Sequence, residues 1–287
     1  MKDKTILDYL QENHIITQAM CNGTHKCGQC KVKVLNRNIE VLDEERKLLS
    51  ENEIKKNIRL ACFHNYCHND QIVSLNNSMD ILDDLKEIKI DSKKYGIGLI
   101  ADIGTTTIVM KWIDRKNGKS IDSVSFVNPQ VTFGGDVISR IDYSNKNGHS
   151  ILHELLINSI EYYLVEKDIE VDQMIFCGNT TMIHFLLGED VSSLGYSPFK
   201  VPMKEMQRIS SKQLFKNYKY KCELVTFPHI SAYVGGDIVS GIYACDMDLL
   251  EKAVLFVDLG TNGEMAVGSN EEIPICPACT ICVCNYD

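Results

Sequence analysis

The sequence predicts two unlike units in tandem: a small α+β unit over residues 1–75 and an α/β unit over residues 96–287 built from two related halves. Three observations lead there. Four cysteines, Cys21, Cys27, Cys30 and Cys62, fall early in the chain, three together and one apart. The segment Asp102-Ile103-Gly104-Thr105 returns as Asp258-Leu259-Gly260-Thr261, each time at the end of an apolar strand and before a second one. Between the two copies, short apolar runs alternate with longer helical patterns, as in α/β architectures.

The first unit reads element by element. Ile6, Leu7, Leu10 and Ile15 recur at near-helical spacing, and the polar start MKDKTILDYLQEN has no leader-like apolar core. A cysteine loop, CNGTHKCGQC, follows. KVKVL at 31–35 alternates polar and apolar residues, as a half-buried strand does. LDEERKLLSENEI reads as one charged helical stretch leading to Cys62, and QIVSL at 71–75 as a further strand.

The cysteine spacing is the sharpest chemical signal. C-x5-C-x2-C with a fourth cysteine 32 residues on approximates the plant-type 2Fe–2S layout, whose loop is one residue shorter. Gly23 and Gly28 suit a loop that must bend tightly around a metal group. Structural zinc sites more often pair two close knuckles, and a disulfide framework requires an oxidising compartment; both remain alternatives to a 2Fe–2S site at Cys21, Cys27, Cys30 and Cys62.

Residues 76–95 are polar and charged and read as a linker. From Gly96 the grammar changes. GIGLIADIGTTTIVMKWID is strand, glycine turn, strand; SILHELLINSIEYYLVEK at 150–167 is an amphipathic helix; MIFCGNTTMIHFLLG at 174–188 is strand, polar turn and helix; KAVLFVDLGTNGEMAVG repeats the first hairpin. The hairpin has a use. Gly104 lets backbone N–H groups approach a phosphate, and Thr105, Thr106 and Thr107 add hydroxyl donors. Asp102 would repel phosphate, so Mg²⁺ is its natural partner. Asp258, Gly260, Thr261 and Asn262 are the matching residues of the second copy. A further pair, Phe133-Gly134-Gly135-Asp136 and Val234-Gly235-Gly236-Asp237, is offset by 101 residues against 156 for the hairpins, so one duplication does not explain both. Each is read as a glycine turn opening a helix, either as a simple cap or, for Asp237, as an acid near the nucleotide. The eight histidines form no metal-spaced pattern and are read as surface or core residues.

Composition narrows the partners. The net charge is −9, with 11 Lys+Arg against 10 Asp+Glu in residues 1–75 and 19 against 29 beyond. With no basic run, a nucleic-acid surface is not expected. No apolar run reaches membrane-span length. Twelve cysteines without a leader point to a reducing cytoplasm, where they serve as ligands or buried thiols.

Taken in order, CNGTHKCGQCKVKV, LLSENEIKKNIRLAC, IADIGTTT, NPQVTFGGDVISRI, FCGNTTMIHFLLG, PHISAYVGGDIVSGI and FVDLGTNGEM resemble the ATP-dependent reductive activators of corrinoid-dependent proteins. That resemblance implies a ferredoxin-like (β-grasp) domain carrying a 2Fe–2S cluster, followed by an actin/Hsp70-like nucleotide-binding domain of the acetate kinase/sugar kinase/Hsp70/actin (ASKHA) superfamily. It implies Cys21, Cys27, Cys30 and Cys62 as cluster ligands, Asp102, Asp237 and Asp258 as catalytic acids, and Gly104, Thr105, Thr106, Gly260, Thr261 and Asn262 as the Mg²⁺–ATP contacts. The implied partner is a corrinoid protein whose cobalt is reduced from Co(II) to Co(I); the electron donor is unnamed. Such a step is uphill for a ferredoxin at roughly −400 mV, hence the use of ATP. A plain electron carrier and a small-molecule kinase of the same superfamily are the alternatives.

Against the family pattern, the opening β-hairpin and the separate middle domain of longer members are expected to be missing. After Gly268 the sequence runs SNEEIPICPACTICVCNYD and stops, so the second lobe and its adenosine pocket are expected to be incomplete, as in a truncated or frame-shifted chain. Cys276, Cys279, Cys282 and Cys284, spaced C-x2-C-x2-C-x-C, are then read as accidental, with a second metal site as the alternative.

Overall fold

The computed structural model describes residues 4–13, 15, 17–19, 21, 23–75, 95–260 and 263–276. The predicted linker, apart from Tyr95, therefore lies outside the described residues, as do Thr261, Asn262, Cys279, Cys282 and Cys284.

The first unit begins with α1 (Ile6–Glu12). Thr5 caps it reciprocally with Asp8, which satisfies two free N-terminal donors. Ile6, Leu7 and Leu10 turn inward. Strand β1 (Lys31–Val34) buries Val32 and Val34 and leaves the intervening Lys33 outside. It is the centre of an antiparallel sheet between β2 (Ile58–Leu60) and β3 (Ile72–Ser74). The expected single charged helix is instead two short ones, α2 (Asp43–Arg46) and α3 (Glu51–Lys55). The break has a local cause: Leu49 turns into the core, and Ser50 opens a new capping box with Glu53. Glu45 is no surface charge either. It is fully buried and accepts from the Leu60 amide and from His64 Nε2.

The second unit is organised by a six-stranded sheet in the order β6-β5-β4-β7-β9-β8. Strand β4 (Ile97–Ile103) turns back into β5 (Thr107–Asp114), which pairs with β6 (Ser120–Val127). A 3-10 turn, Pro129–Phe133, leads to α4 (Val137–Asn147). Helix α5 (Ser150–Lys167) precedes β7 (Gln173–Gly178), which lies parallel to β4. Helix α6 (Thr180–Leu187) follows, capped by Asn179. Strands β8 (Arg208–Ser210) and β9 (Glu223–Thr226) complete the sheet, β9 parallel to β7. Leu99, Ile103, Trp112, Phe176 and Leu224 from the sheet pack with Leu156, Ile160, Ile183 and Leu186 from the helices in one core.

Helix α7 (Gly236–Ala244) then crosses to a separate antiparallel sheet, β10 (Val254–Leu259), β11 (Gly263–Gly268) and β12 (Ile275–Cys276). The two glycine-aspartate segments do open helices, but differently. Asp136 is the N-cap of α4, accepting from the Ser139 amide, whereas Asp237 sits inside the first turn of α7.

The two units meet at the 3-10 turn. Gln11 Nε2 donates to the Thr132 carbonyl at 2.6 Å. The Thr17 amide donates to Thr132 Oγ1 at 2.9 Å, and the Ala19 amide to the Val131 carbonyl at 3.4 Å. Thr17 and Thr132 are both buried at this seam.

Candidate functional site

The four cysteine thiols stand as two pairs. Cys30 and Cys62, both buried, hold their sulfurs 3.4 Å apart. Two thiolates on one tetrahedral metal with bonds of about 2.3 Å sit about 3.8 Å apart, so this pair is close to the span of a shared ion. Cys21 and Cys27, half-buried, share a hydrogen bond. Among the described residues no three His, Cys, Asp or Glu side chains converge on one point. Two thiol pairs are the donor arrangement of a binuclear cluster, where each iron takes two thiolates.

The loop also favours thiolate. Burial pushes the Cys21 thiol up, but hydrogen bonds from the Lys26 and Cys27 backbone and the Thr24 side chain outweigh it and bring it down to about 6. The hydrogen bond between Cys30 and Cys62 lowers Cys30 and pushes Cys62 far up, so one proton is shared by the two sulfurs. Gly23 and Gly28 adopt φ of 78° and 64°, which side-chain-bearing residues avoid. His25 stacks on Phe63 with ring centres 4.3 Å apart and its Nε2 lies 3.0 Å from the Cys62 carbonyl, closing the loop over the buried pair.

The second feature is a cavity of ≈ 720 Å³, within the usual range for small-ligand sites. Asp102, Gly104, Thr105, Thr106 and Thr107 line it from the first hairpin, Asp258 and Gly260 from the second, and Asp237 from α7. The structure therefore brings together six of the predicted nucleotide-site residues, Asp102, Gly104, Thr105, Thr106, Gly260 and Asp258, and joins Asp237 to them. Thr261 and Asn262 are outside the described residues.

Sequence reasoning missed several neighbours. Glu264 lines the cavity because it pairs directly across from Asp258 in the antiparallel register. Side chains opposite each other on adjacent strands share a face, so the spacing D-L-G-T-N-G-E carried that signal. Asn179 was read only as part of a polar turn. It caps α6 and donates from Nδ2 to Thr105 Oγ1 at 2.9 Å, leaving the Thr105 hydroxyl hydrogen free for another acceptor. The register of β7 on β4 places Asn179 there, and at Gly235 a Cβ would lie 2.5 Å from Asn179 Cα, so the starts of α6 and α7 meet only at glycine. Arg140, fully buried, fixes the loop from below. It donates to the carbonyls of Thr105 and Gly134 at 2.5 and 2.9 Å and to Gln130 Oε1 at 3.1 Å.

The cavity is acidic. Asp102 has surface open to it but is walled in by protein, and burial with the nearby Asp237 and Asp258 charges raises its carboxyl to about 6. Burial and Asp258 raise Asp237 to about 6, and burial with Asp237 and Asp258 raises Glu264 to about 7. Among the described residues no lysine or arginine lines the space. Hydroxyls, a glycine loop and crowded carboxylates suit a divalent cation together with the phosphates it accompanies.

Residues 96–250 match the family described as the RACo middle region, against the expectation that a middle domain is missing, and residues 1–65 match the 2Fe–2S iron–sulfur cluster binding domain. The chain is 31% identical over 198 residues to the corrinoid activation enzyme RamQ of Eubacterium limosum, covering 66% of this chain and 33% of that protein. It is 25% identical over 191 residues to the Co(II) methylated amine-specific corrinoid protein reductase of Methanosarcina barkeri, covering 62% and 35%. It thus spans about a third of the length of these curated relatives. Among solved structures, the reductive activator for corrinoid, iron–sulfur protein superposes with a TM-score of 0.60 over 95% of this chain and 60% of that one, at 22% identity. At that identity the likeness is one of fold: a ferredoxin-like domain followed by an α/β domain. No helix among the described residues is long and apolar enough to cross a membrane.

Proposed function

We propose, because the chain belongs to the RACo middle region family, that it is an iron–sulfur electron-transfer protein that reductively reactivates a corrinoid protein in an ATP-dependent manner. The observation that supports this most is a coincidence of two sites: paired thiols suited to a binuclear cluster, and a phosphate-type cavity that both units line.

Cys21 with Cys27, and Cys30 with Cys62, would hold a 2Fe–2S cluster, and Thr24 and the backbone of residues 26–29 would steady the thiolates. When bound, the cluster supplies one electron at a time, matching the single electron that takes the corrinoid substrate from Co(II) to Co(I). Asp102, Asp237, Asp258 and Glu264 would hold Mg²⁺ directly or through its waters. Gly104 and the hydroxyls of Thr105 and Thr106 would meet the phosphates, with Gly260, Thr261 and Asn262 opposite. Mg²⁺–ATP, when bound, supplies a difference in binding energy between two arrangements of the units rather than a phosphoryl group for a small molecule. Free thiols throughout the described residues accord with a reducing, cytoplasmic setting.

Anaerobic reconstitution with iron and sulfide, followed by spectroscopic assay of a corrinoid protein, tests this. A red-brown protein with about two irons per chain, losing them on Cys21→Ser, Cys27→Ser, Cys30→Ser or Cys62→Ser but not Cys177→Ser, supports the cluster. Cobalt reduction that depends on Mg²⁺–ATP supports the activator; cluster reduction indifferent to ATP leaves a plain carrier. A colourless, zinc-loaded product from the same preparation would sink the proposal.

A further inference from the structure

The cavity is not built by the nucleotide unit alone. Gln18 and Gln29, both from the cluster unit, line it beside Thr105, Asp102 and Asp237. Gln18 is 93% buried by its 7% residual exposure, and its amide nitrogen has no hydrogen-bond partner. A buried amide N–H left unpaired is costly, because it gives up its hydrogen bonds to water with nothing in return. It sits one residue from Thr17 and one from Ala19, whose amides form the seam with Thr132 and Val131. Gln29 lies between Cys27 and Cys30, and its backbone amide hydrogen-bonds the Cys27 sulfur. The seam and the phosphate loop are also joined from the other side. The 3-10 turn that receives Thr17 and Ala19 contains Gln130, which accepts from Arg140, and Arg140 donates to the Thr105 carbonyl.

The geometry points to Gln18 and Gln29 as ligand-binding residues contributed by the cluster unit: the Gln18 amide donates to a phosphate oxygen of a Mg²⁺-bound polyphosphate held by the Thr105 loop, so that this ligand clasps the cluster unit against the nucleotide unit. This rests on the nucleotide reading of the cavity and specifies what the ligand does there. A donor is the right chemistry. The walls are carboxylates, the cation answers them, and neutral N–H and O–H groups are left to meet the phosphate oxygens without adding charge. Because Gln29 shares its residue with a sulfur contact, ligand at one end of its side chain and cluster at the other bear on the same few atoms. By linkage, whatever firms the seam raises ligand affinity, and ligand firms the seam by the same factor.

The test uses the cluster-loaded 287-residue chain with Mg²⁺–ATP and, to isolate the phosphate end, Mg²⁺–tripolyphosphate. Affinity is measured by titration, and backbone amide exchange is followed at Thr17, Ala19 and the 104–107 loop. In the unaltered chain both ligands should slow exchange at the loop and at Thr17 and Ala19 together. Gln18→Leu, close in size and without donors, should weaken binding about 10–100-fold, the span of one hydrogen bond to a charged group. At saturating ligand it should retain protection at the loop while losing the gain at Thr17 and Ala19. Gln18→Glu, which keeps an acceptor but no N–H at neutral pH, should bind no better. If either variant binds like the unaltered chain, or if loop protection appears without any at the seam, the clasp is wrong while the nucleotide reading stands. If neither ligand slows exchange at the loop of the unaltered chain, both fail. The visible spectrum of each variant reports that the cluster unit is folded.

Discussion

The two hairpins share one sequence grammar and sit in opposite surroundings. On β4, Leu99, Ala101 and Ile103 are 0%, 3% and 0% exposed; on β10 the matching Leu255, Val257 and Leu259 are 60%, 42% and 85% exposed. Strand β4 is central, flanked by β5 and β7, and the core helices α5 and α6 cover it. Strand β10 is the outer strand of a three-stranded sheet, paired with β11. The other face is alike in both. Asp102 and Asp258 each reach the cavity, and Phe256 lies so close to α7 that a Cβ on Gly241 would come within 2.4 Å of its ring. The turns also differ by one residue, so Asp102 pairs across from Val109 but Asp258 pairs across from Glu264. The shared motif thus specifies which way the acid points. It does not specify what covers the back of the strand or what stands beside the acid.

The comparison breaks most visibly on stability. Leu99→Ala should destabilise the α/β unit by about 2–5 kcal/mol, a core truncation, while Leu255→Ala should fall within about 0.5 kcal/mol, a surface change. Chemical denaturation followed by tryptophan fluorescence measures both, since Trp112 lies in the same core as Leu99. Comparable losses from the two would mean that β10 is covered in solution.

Function should treat the hairpins alike. Asp102→Ala and Asp258→Ala should each lower affinity for the Mg²⁺ complex of ATP by about 10–100-fold, the usual effect of removing a group that orients a metal or its waters. Neither should bleach the cluster, whose thiols lie in the other unit. An Asp258 variant that binds normally would leave the first hairpin alone at the ligand.

The pH response sharpens the account of the acidic wall. Asp102 and Asp237 titrate at about 6 and Glu264 at about 7 in the folded protein, above the ordinary carboxylate range near 4. Groups raised in this way hold protons in the folded state that the unfolded chain releases. Their unfavourable contribution is absent below about pH 4 and grows as pH climbs to about 7. Without divalent cation, stability from these groups should therefore fall across that interval. Mg²⁺ should stabilise the protein more at pH 8 than at pH 5, as melting curves with and without MgCl₂ would register. The smallest effect is expected of Glu264→Gln, which should remove the upper part of that dependence, near pH 7, and leave the part near pH 6.

Much of this was legible because it is local. Helix α5 falls on the predicted 150–167, where apolar spacing and length suffice. The cysteine spacing singled out Cys21, Cys27, Cys30 and Cys62, but not which of them stand together. What could not be read was anything decided by a distant partner. Glu45 sits in a run of charges that looks solvated, yet it is buried on His64. Asn179 looks like a turn residue, and the parallel register of β7 on β4, Gly178 against Ile103, makes it a neighbour of Thr105. Gln18 belongs to a stretch with no motif, and its place in the cavity comes from the seam between the units.

Arg140 carries a consequence for the electric field of the site. Burial lowers its guanidinium to about 9, so it is still protonated at neutral pH. Its positive charge lies under the Thr105 loop, whose carbonyl it meets, while Asp102, Asp237, Asp258 and Glu264 line the cavity beside that loop. A ligand that straddles the loop would therefore lie along a field set at folding, negative end inward and cation outward. Orientation of a magnesium–phosphate complex in that gap is then a matter of polarity before any contact is made, and a ligand of the reverse polarity would meet the same field as a barrier.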